Sequence, residues 1–465
     1  MLSKPVLFLV AVVYSLPLWP QTANEVCRAC IRANMEFLAS DALRGRGSST
    51  PDEFLAVTYA ATEFQRAGVA PAGENGTYIQ MATYQNQSAK DAPIISFNAS
   101  GQAVTWKHGE QVAFLRLAKP TATGPLQKST LDDKALKPAE VKPGAFLLFS
   151  ADPQISYADL RTKLAPYDDT PAAAILVNLP DAVKPMFGRL GSRLPRLPRR
   201  MEGVSGEQPA LVLLNEAAVK QAQALSDGAE MTLKAELNPA QVSHTWNAVA
   251  RIDGTQPNEV VLLSAHIDHL GVGQPVNGDE IYNGADDDAS GSTAVLELAR
   301  ELAKAPRPRR TVIFVLFGSE ELGGIGNQYF MLHPPVPMKD VVANLEFEMI
   351  GRPDAAVKPD ELWLTGWDRS NLGPTLAQHG AHLVGDPHPA ENFFMRSDNY
   401  ALARKGVVAQ TVSSFGLHAD YHRPSDELSK IDFDHMDEAI GSMVKPIEWL
   451  INSDFKPEWL PGKKP

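Results

Sequence analysis

Hydrophobic and polar positions alternate in two textures along this chain. In the C-terminal half, Val260 to Ala265 and Thr311 to Phe317 are nearly continuous apolar runs, as expected of strands buried on both faces. Between them, Gly291 to Ala303 sets Val295, Leu298, Ala299 and Leu302 on one side of a helix. Further strands are predicted at Val342 to Glu348, Leu362 to Leu364 and Val407 to Val412, and a closing helix at Phe433 to Ile451. Strands that alternate with helices in this way predict an α/β fold with a mostly parallel mixed sheet flanked by helices. Two scaffold helices precede it. One covers 31–43, with Ile31, Met35, Leu38, Ala42 and Leu43 at helical spacing; the other starts at Pro51 and stops at Gly68. Residues 92–240 differ in texture: short runs at Ala145 to Phe149, Ala174 to Val177 and Ala210 to Leu214 lie between Pro-, Asp- and Lys-rich loops. This segment is predicted to be an inserted β-rich domain that borders a site. The organisation expected is therefore a leader at 1–22, a first part of the main domain at 23–91, the insert at 92–240, the main domain at 241–452 and a loose tail at 453–465.

Charge and leader narrow the classes. With 43 Lys and Arg against 55 Asp and Glu, the net charge of -12 excludes the basic face of a nucleic-acid binder. Lys4 followed by the apolar run Val6 to Val13, with breaks at Pro17 and Pro20, is the pattern of a signal peptide, too short for a spanning helix. Export to the periplasm or medium follows, without a stable membrane anchor once the leader is removed. Cys27 and Cys30 stand just beyond it, where a local disulfide is plausible. Arg189, Arg193, Arg196, Arg199 and Arg200 lack interleaved aromatics and read as a solvated loop rather than a docking surface for an acidic partner.

Candidate chemistry gathers where the predicted strands end. His266 and Asp268 follow the first run, pairing an imidazole with a carboxylate that can accept its second ring proton. Asp286, Asp287 and Asp288 stand in a Gly-flanked turn before a helix; one of them could bridge two cations, and Asp288 with Ser290 could cap the helix. Glu320 and Glu321 end the next strand, Glu346 and Glu348 the one after, and Tyr421-His422 follows in a polar loop. Nitrogen and oxygen donors without thiolate suit zinc, and a close pair of zinc ions suits hydrolysis.

Taken together, His266-Ile-Asp268, Gly284-Ala-Asp286-Asp287, Ser319-Glu320-Glu321, Glu348-Met-Ile-Gly351 and Tyr421-His422 resemble the co-catalytic two-zinc exopeptidase family of bacterial leucyl aminopeptidases and glutamate carboxypeptidase. The insert resembles a protease-associated domain, and Leu38 to Arg46 resembles the family's lead-in. The resemblance implies two Zn2+ per chain: one held by His266, Asp286 and Glu348, the other by Asp286, Glu321 and His422, with Asp286 bridging. It also implies that Asp268 orients His266 and that Glu320 is the general base. Glu346 rivals Glu348 if the motif is aligned from Asn344, and Asn399 stands where the family commonly has His. The function expected is an exported aminopeptidase acting on peptides. A glutamate carboxypeptidase-like enzyme, a glutaminyl cyclase with a single zinc and a non-catalytic binding protein are the alternatives on the same fold. Oligomeric state is not legible.

Overall fold

A computed structural model of the protein describes residues 26–132, 134–201, 203 and 208–465. The predicted leader lies outside the described residues, apart from which no described helix is long and apolar enough to cross a membrane. The main domain is built on a ten-stranded sheet. Its centre is the strand Gln256–His266, parallel to Arg310–Phe317 on one side and to Val341–Phe347 on the other, with Val408–Ser413 parallel beyond the latter. Gln241–Ile252 and Ile79–Asn86 extend the sheet antiparallel on the far flank, so the sheet is mixed, with a parallel core.

The continuous apolar runs are explained by burial on both faces. Val261, Leu263 and Ala265 pack under the helices Arg28–Leu38, Pro51–Ala67, Gly291–Leu302 and Phe433–Asn452. Val260 and Leu262 point the other way, with Ile313, Val315 and Phe317, against Phe330, Leu402 and Ala403. The period-two alternation of a strand thus feeds two separate cores. Truncating Leu263, which is fully buried, would cost about 2–5 kcal/mol, the range for large-to-small core changes. The second scaffold helix starts and stops where its sequence says: the Thr50 hydroxyl accepts from the Asp52 and Glu53 amides, and Gly68 takes the left-handed conformation at φ 77°.

The first scaffold helix is shorter than predicted. It ends at Leu38, and Asp41 to Arg46 form a tight turn that delivers the Arg46 guanidinium inward. Cys27 and Cys30 are joined by a disulfide at the start of this helix. The insert holds an eight-stranded sheet of its own spanning Ile94 to Lys234, with buried layers on both faces. The three runs seen in the sequence are its parallel centre. Of its other five strands, Gln102–Lys107 and Thr121–Thr130 carry no clear alternation of polar and apolar residues. The tail corrects an expectation. It is not loose: the Arg310 guanidinium donates to Phe455 O, Leu460 N to Arg369 O, and the Trp459 ring meets Phe394 edge-on.

Candidate metal centre

Every candidate group leaves from the carboxyl end of a parallel strand or from the loop beyond it, the usual location of a site in an open α/β sheet. His266 is the last residue of Gln256–His266, Glu320 and Glu321 follow Arg310–Phe317, Glu348 follows Val341–Phe347, and His422 lies on the loop after Val408–Ser413. Three of these loops hold a non-glycine residue in the left-handed region: Ser319 (φ 52°), Met349 (φ 52°) and His422 (φ 56°). Each such residue costs on the order of 1 kcal/mol, which the surrounding packing must outweigh, and strain of this kind clusters at functional sites.

Two groups of donors converge there, His266 with Asp287 and Glu348, and His269 with Asp287 and Glu321. His266 Nε2 lies 3.1 Å from Asp287 Oδ1, while His422 Nε2 lies 3.2 Å from both Asp287 Oδ2 and Glu321 Oε1. Asp287 therefore faces both sides with separate oxygens. This corrects the sequence reading, which gave Asp286 the bridging place. The Asp286 carboxylate is taken up elsewhere: Oδ1 accepts from Gly351 N at 2.8 Å, and Oδ2 is 2.9 Å from His418 Nε2. Asp288 is a third case. Its Oδ1 accepts from Gly291 N and Met349 N, and its Oδ2 from His266 N, so it caps the helix as expected and also fixes two site loops.

Asp268 stands beside the His266 ring and holds a second loop as well. Its carboxylate is 3.8 Å from His266 Nδ1, and the ring is instead 3.2 Å from the Asp268 backbone oxygen. The carboxylate accepts from Glu320 N at 2.9 Å and from the Ser48 hydroxyl at 2.5 Å, so it positions the loop that carries Glu320 and Glu321. Glu348 joins the His266 group, whereas Glu346 is bound by Ser397 Oγ at 2.9 Å and Asn399 N at 2.6 Å. Asn399, fully buried, donates to Phe394 O and serves the scaffold.

Arg46 explains the lead-in motif. Its buried guanidinium donates to Ile267 O at 2.8 Å, Asn283 O at 2.7 Å and Gly284 O at 3.0 Å, tying the His266 loop to the aspartate turn. Asp426 completes the turn by accepting from the Asp286 and Asp287 amides at 3.1 Å.

Burial pushes the carboxyls of Glu320, Asp288 and Glu348 above the ordinary carboxylate range. It also lifts Asp398 to about 7. For Glu321, burial and the Asp287 charge are outweighed by the His269 and His422 rings, and it falls to about 2. His422 is pulled down by burial but pushed up to about 10 by Asp287 and Glu321. Glu321 Oε1 and His269 Nδ1 are buried without an aligned hydrogen bond, although they lie 3.0 Å apart. Buried donors crowded together without hydrogen bonds of their own fit a cation, and imidazole with carboxylate suits zinc.

Beside Glu348, a small cavity of about 40 Å3 is walled by Trp363, Phe393, Phe415 and Tyr421, with Arg396 on its lining.

The chain thus carries a parallel-cored sheet with imidazole and carboxylate donors gathered at its carboxyl ends. Residues 247–445 match the model of Peptidase family M28. Among curated proteins, an aminopeptidase of Pseudomonas aeruginosa is 37% identical over 113 residues, 24% of this chain and 19% of the relative. Carboxypeptidase Q of Mus musculus is 36% identical over 132 residues, 27% of this chain and 26% of the relative. The chain thus spans well under two thirds of the length of these relatives. The solved structure of an aminopeptidase from Aneurinibacillus sp. strain AM-1 superposes with a TM-score of 0.54 at 19% identity, covering 95% of this chain and 97% of that one, which is a likeness of fold.

Sequence reasoning missed two residues at this centre, Asp287 as the facing carboxylate and His269. A signal was present for both. Asp287 is the middle of three aspartates, and His269 closes the His266-Ile-Asp268-His269 run.

Proposed function

We propose that the protein is an exported zinc-dependent aminopeptidase that hydrolyses N-terminal residues from peptides. The observation that carries this reading is the single carboxylate of Asp287 facing His266 and Glu348 on one side and Glu321 and His422 on the other, with Glu320 alongside. In this reading two zinc ions are held, one by His266, Asp287 and Glu348 and one by Asp287, Glu321 and His422. Zinc bound there supplies a Lewis acid for the scissile carbonyl and makes water acidic enough to react near neutral pH. Glu320 takes the proton from the attacking water and later delivers it to the leaving amine; its raised affinity for a proton suits both steps. Asp268 holds the Glu320 amide and so keeps that carboxylate at the reacting centre. The aromatic cavity beside Glu348 receives the side chain of the residue being removed.

Export rests on the leader pattern at 1–22 and on the Cys27–Cys30 disulfide, which persists in oxidising compartments. The inserted domain borders the site in the manner of a protease-associated domain: Arg199 donates to Leu322 O, directly beyond Glu321.

A second reading is favoured by one residue. Arg396 lines the cavity beside Glu348, and a guanidinium there could receive the carboxylate of a peptide's C-terminus. The test is mass spectrometry of products from a peptide with both ends free and an N-terminal Gln, incubated with the zinc-loaded protein. Shortening from the N-terminus is expected. Shortening from the C-terminus would replace the aminopeptidase with a carboxypeptidase, loss of ammonia from an intact chain would indicate a cyclase, and no change across varied peptides would indicate a binding protein.

A further inference from the structure

Of the arginines gathered between Arg189 and Arg200, four are exposed and Arg199 alone is half-buried. It lies where the insert touches the main sheet: Arg200–Met201, the next two residues, pair antiparallel with Tyr84 and Gln85 at the sheet edge. Arg199 Nη1 donates to Leu322 O at 2.6 Å, while Nε is buried and, among the described residues, without a hydrogen-bond partner. Withdrawing a guanidinium from water and leaving one of its donors unmatched is unfavourable, so a gain elsewhere must account for its place. The loop it touches supplies one. Leu322 follows Glu320 and Glu321 directly, and that loop is held differently on its two sides. Before Glu320, Ser319 Oγ lies 3.0 Å from Ser49 Oγ and donates to the buried Glu53 carboxylate at 3.2 Å, and Glu320 N donates to Asp268. Beyond Leu322 stand Gly323 and Gly324, left-handed at φ 95° and 69°, with open space where a Cβ of Gly323 would point. Two successive glycines leave the backbone free to turn. Contacts from the insert bear on this freer side: Arg199 at the Leu322 carbonyl, and Met201, which packs with Leu322, Tyr84 and Ile325. A shift there reaches Glu320, because its backbone oxygen accepts from both Gly323 N and Gly324 N.

We infer that Arg199 is a positioning residue for Glu320, through which the inserted domain sets the place of the loop 318–324 and thereby the rate of turnover. The inference rests on the reading of Glu320 as the base and adds the residue that holds its loop from the insert. A base acts only within hydrogen-bond reach of the proton it takes, and a displacement of about 1 Å can lower a rate on the order of 100-fold. Arg199 belongs to neither donor group and to no part of the lining of the cavity beside Glu348, so zinc and substrate binding do not depend on it.

The experiment is steady-state hydrolysis of a peptide by the zinc-loaded full chain, with zinc content measured beside it, for the unaltered protein, Arg199→Met and Arg199→Lys. Methionine keeps an apolar stem and removes the donors: kcat should fall by about tenfold or more, with KM and zinc content unchanged within about twofold. Lysine can still donate to the Leu322 carbonyl, so Arg199→Lys should recover most of the loss, which a general weakening of the fold would not predict. Amide hydrogen exchange gives a readout apart from turnover, and peptides covering 318–325 should exchange faster in Arg199→Met. An unchanged kcat, a fall in kcat accompanied by loss of zinc or matched by a change in KM, a lysine variant as impaired as the methionine one, or unaltered exchange would each overturn the inference and leave the peptidase reading intact. A chain that hydrolyses no peptide would remove the peptidase reading and this inference with it. Arg199→Ala, read in the same way, decides the matter if Arg199→Met does not fold.

Discussion

Asp286, Asp287 and Asp288 carry the same functional group, yet their oxygens meet different partners because the turn points each side chain in a different direction. Asp287 alone can be shared between the two donor groups. Asp287→Asn should therefore lose bound zinc from both positions, whereas Asp286→Asn should keep both ions and lose at most ~10–100-fold in affinity, the scale of changes around a ligand rather than at it. Metal content by mass spectrometry of the two purified variants checks this, and zinc retained in Asp287→Asn would return the bridge to Asp286. Glu320 separates binding from turnover. Glu320→Gln should leave zinc content unchanged and lower kcat by ~10²–10⁴-fold or more, measured by steady-state hydrolysis beside a zinc assay. These roles were only partly legible in the sequence. The residue types and their strand-end positions could be read, because charged groups after buried apolar runs stand out. Which of three adjacent aspartates faces the site could not, since that depends on backbone angles set by Asp426 and Gly351 from distant parts of the chain.

Elements place these residues through a few backbone positions that tolerate no substitution. Gly284 enters the aspartate turn at φ 59°, and a Cβ there would lie 2.1 Å from Asp287 O and 2.5 Å from His269 Cγ. Gly284→Ala must shift the turn or the His269 ring. It should destabilise the protein by about 1–3 kcal/mol and weaken zinc binding as well, seen as a lower urea midpoint and earlier loss to a chelator. A midpoint equal to that of the unaltered chain would show that the turn relaxes freely. Strand and helix positions were legible wherever burial was complete: Thr311 to Phe317 was predicted and Arg310–Phe317 is found, and Leu362–Leu364 agrees at both ends. The outer strands of the insert were not, because Gln102–Lys107 is mostly exposed and carries no clear alternation. The tail was misread for a related reason. Its short polar run holds no periodicity, and its attachment depends on Arg310 and Phe394 far away in sequence.

At the scale of the whole molecule, the site concentrates buried charge that the fold alone does not neutralise. Glu320, Glu348, Asp288 and Asp398 all bind protons more readily in the folded chain than in the unfolded one, Asp398 up to about 7. His422 does the same up to about 10. With a raised folded value, a group contributes stability that is fully present below its unfolded value and is lost as pH rises through the folded one. For Asp398 that loss runs from about 4 to about 7, and for His422 from about 6.5 to about 10. Asp287 and Glu321 are shifted down, Glu321 to about 2, and do not titrate between pH 5 and 8. Across that window Asp398 and His422 therefore act in one direction, and the metal-stripped protein should lose stability as pH rises. Zinc reverses the sign at the site, because it binds the deprotonated donors and stabilises the folded chain by mass action. The gap in Tm between zinc-loaded and chelator-stripped protein should accordingly widen from pH 5 to pH 8. Calorimetric scans at both pH values in each state would show it, and a gap that is constant or narrows would mean that these buried carboxyls do not carry the charge the cation is there to offset.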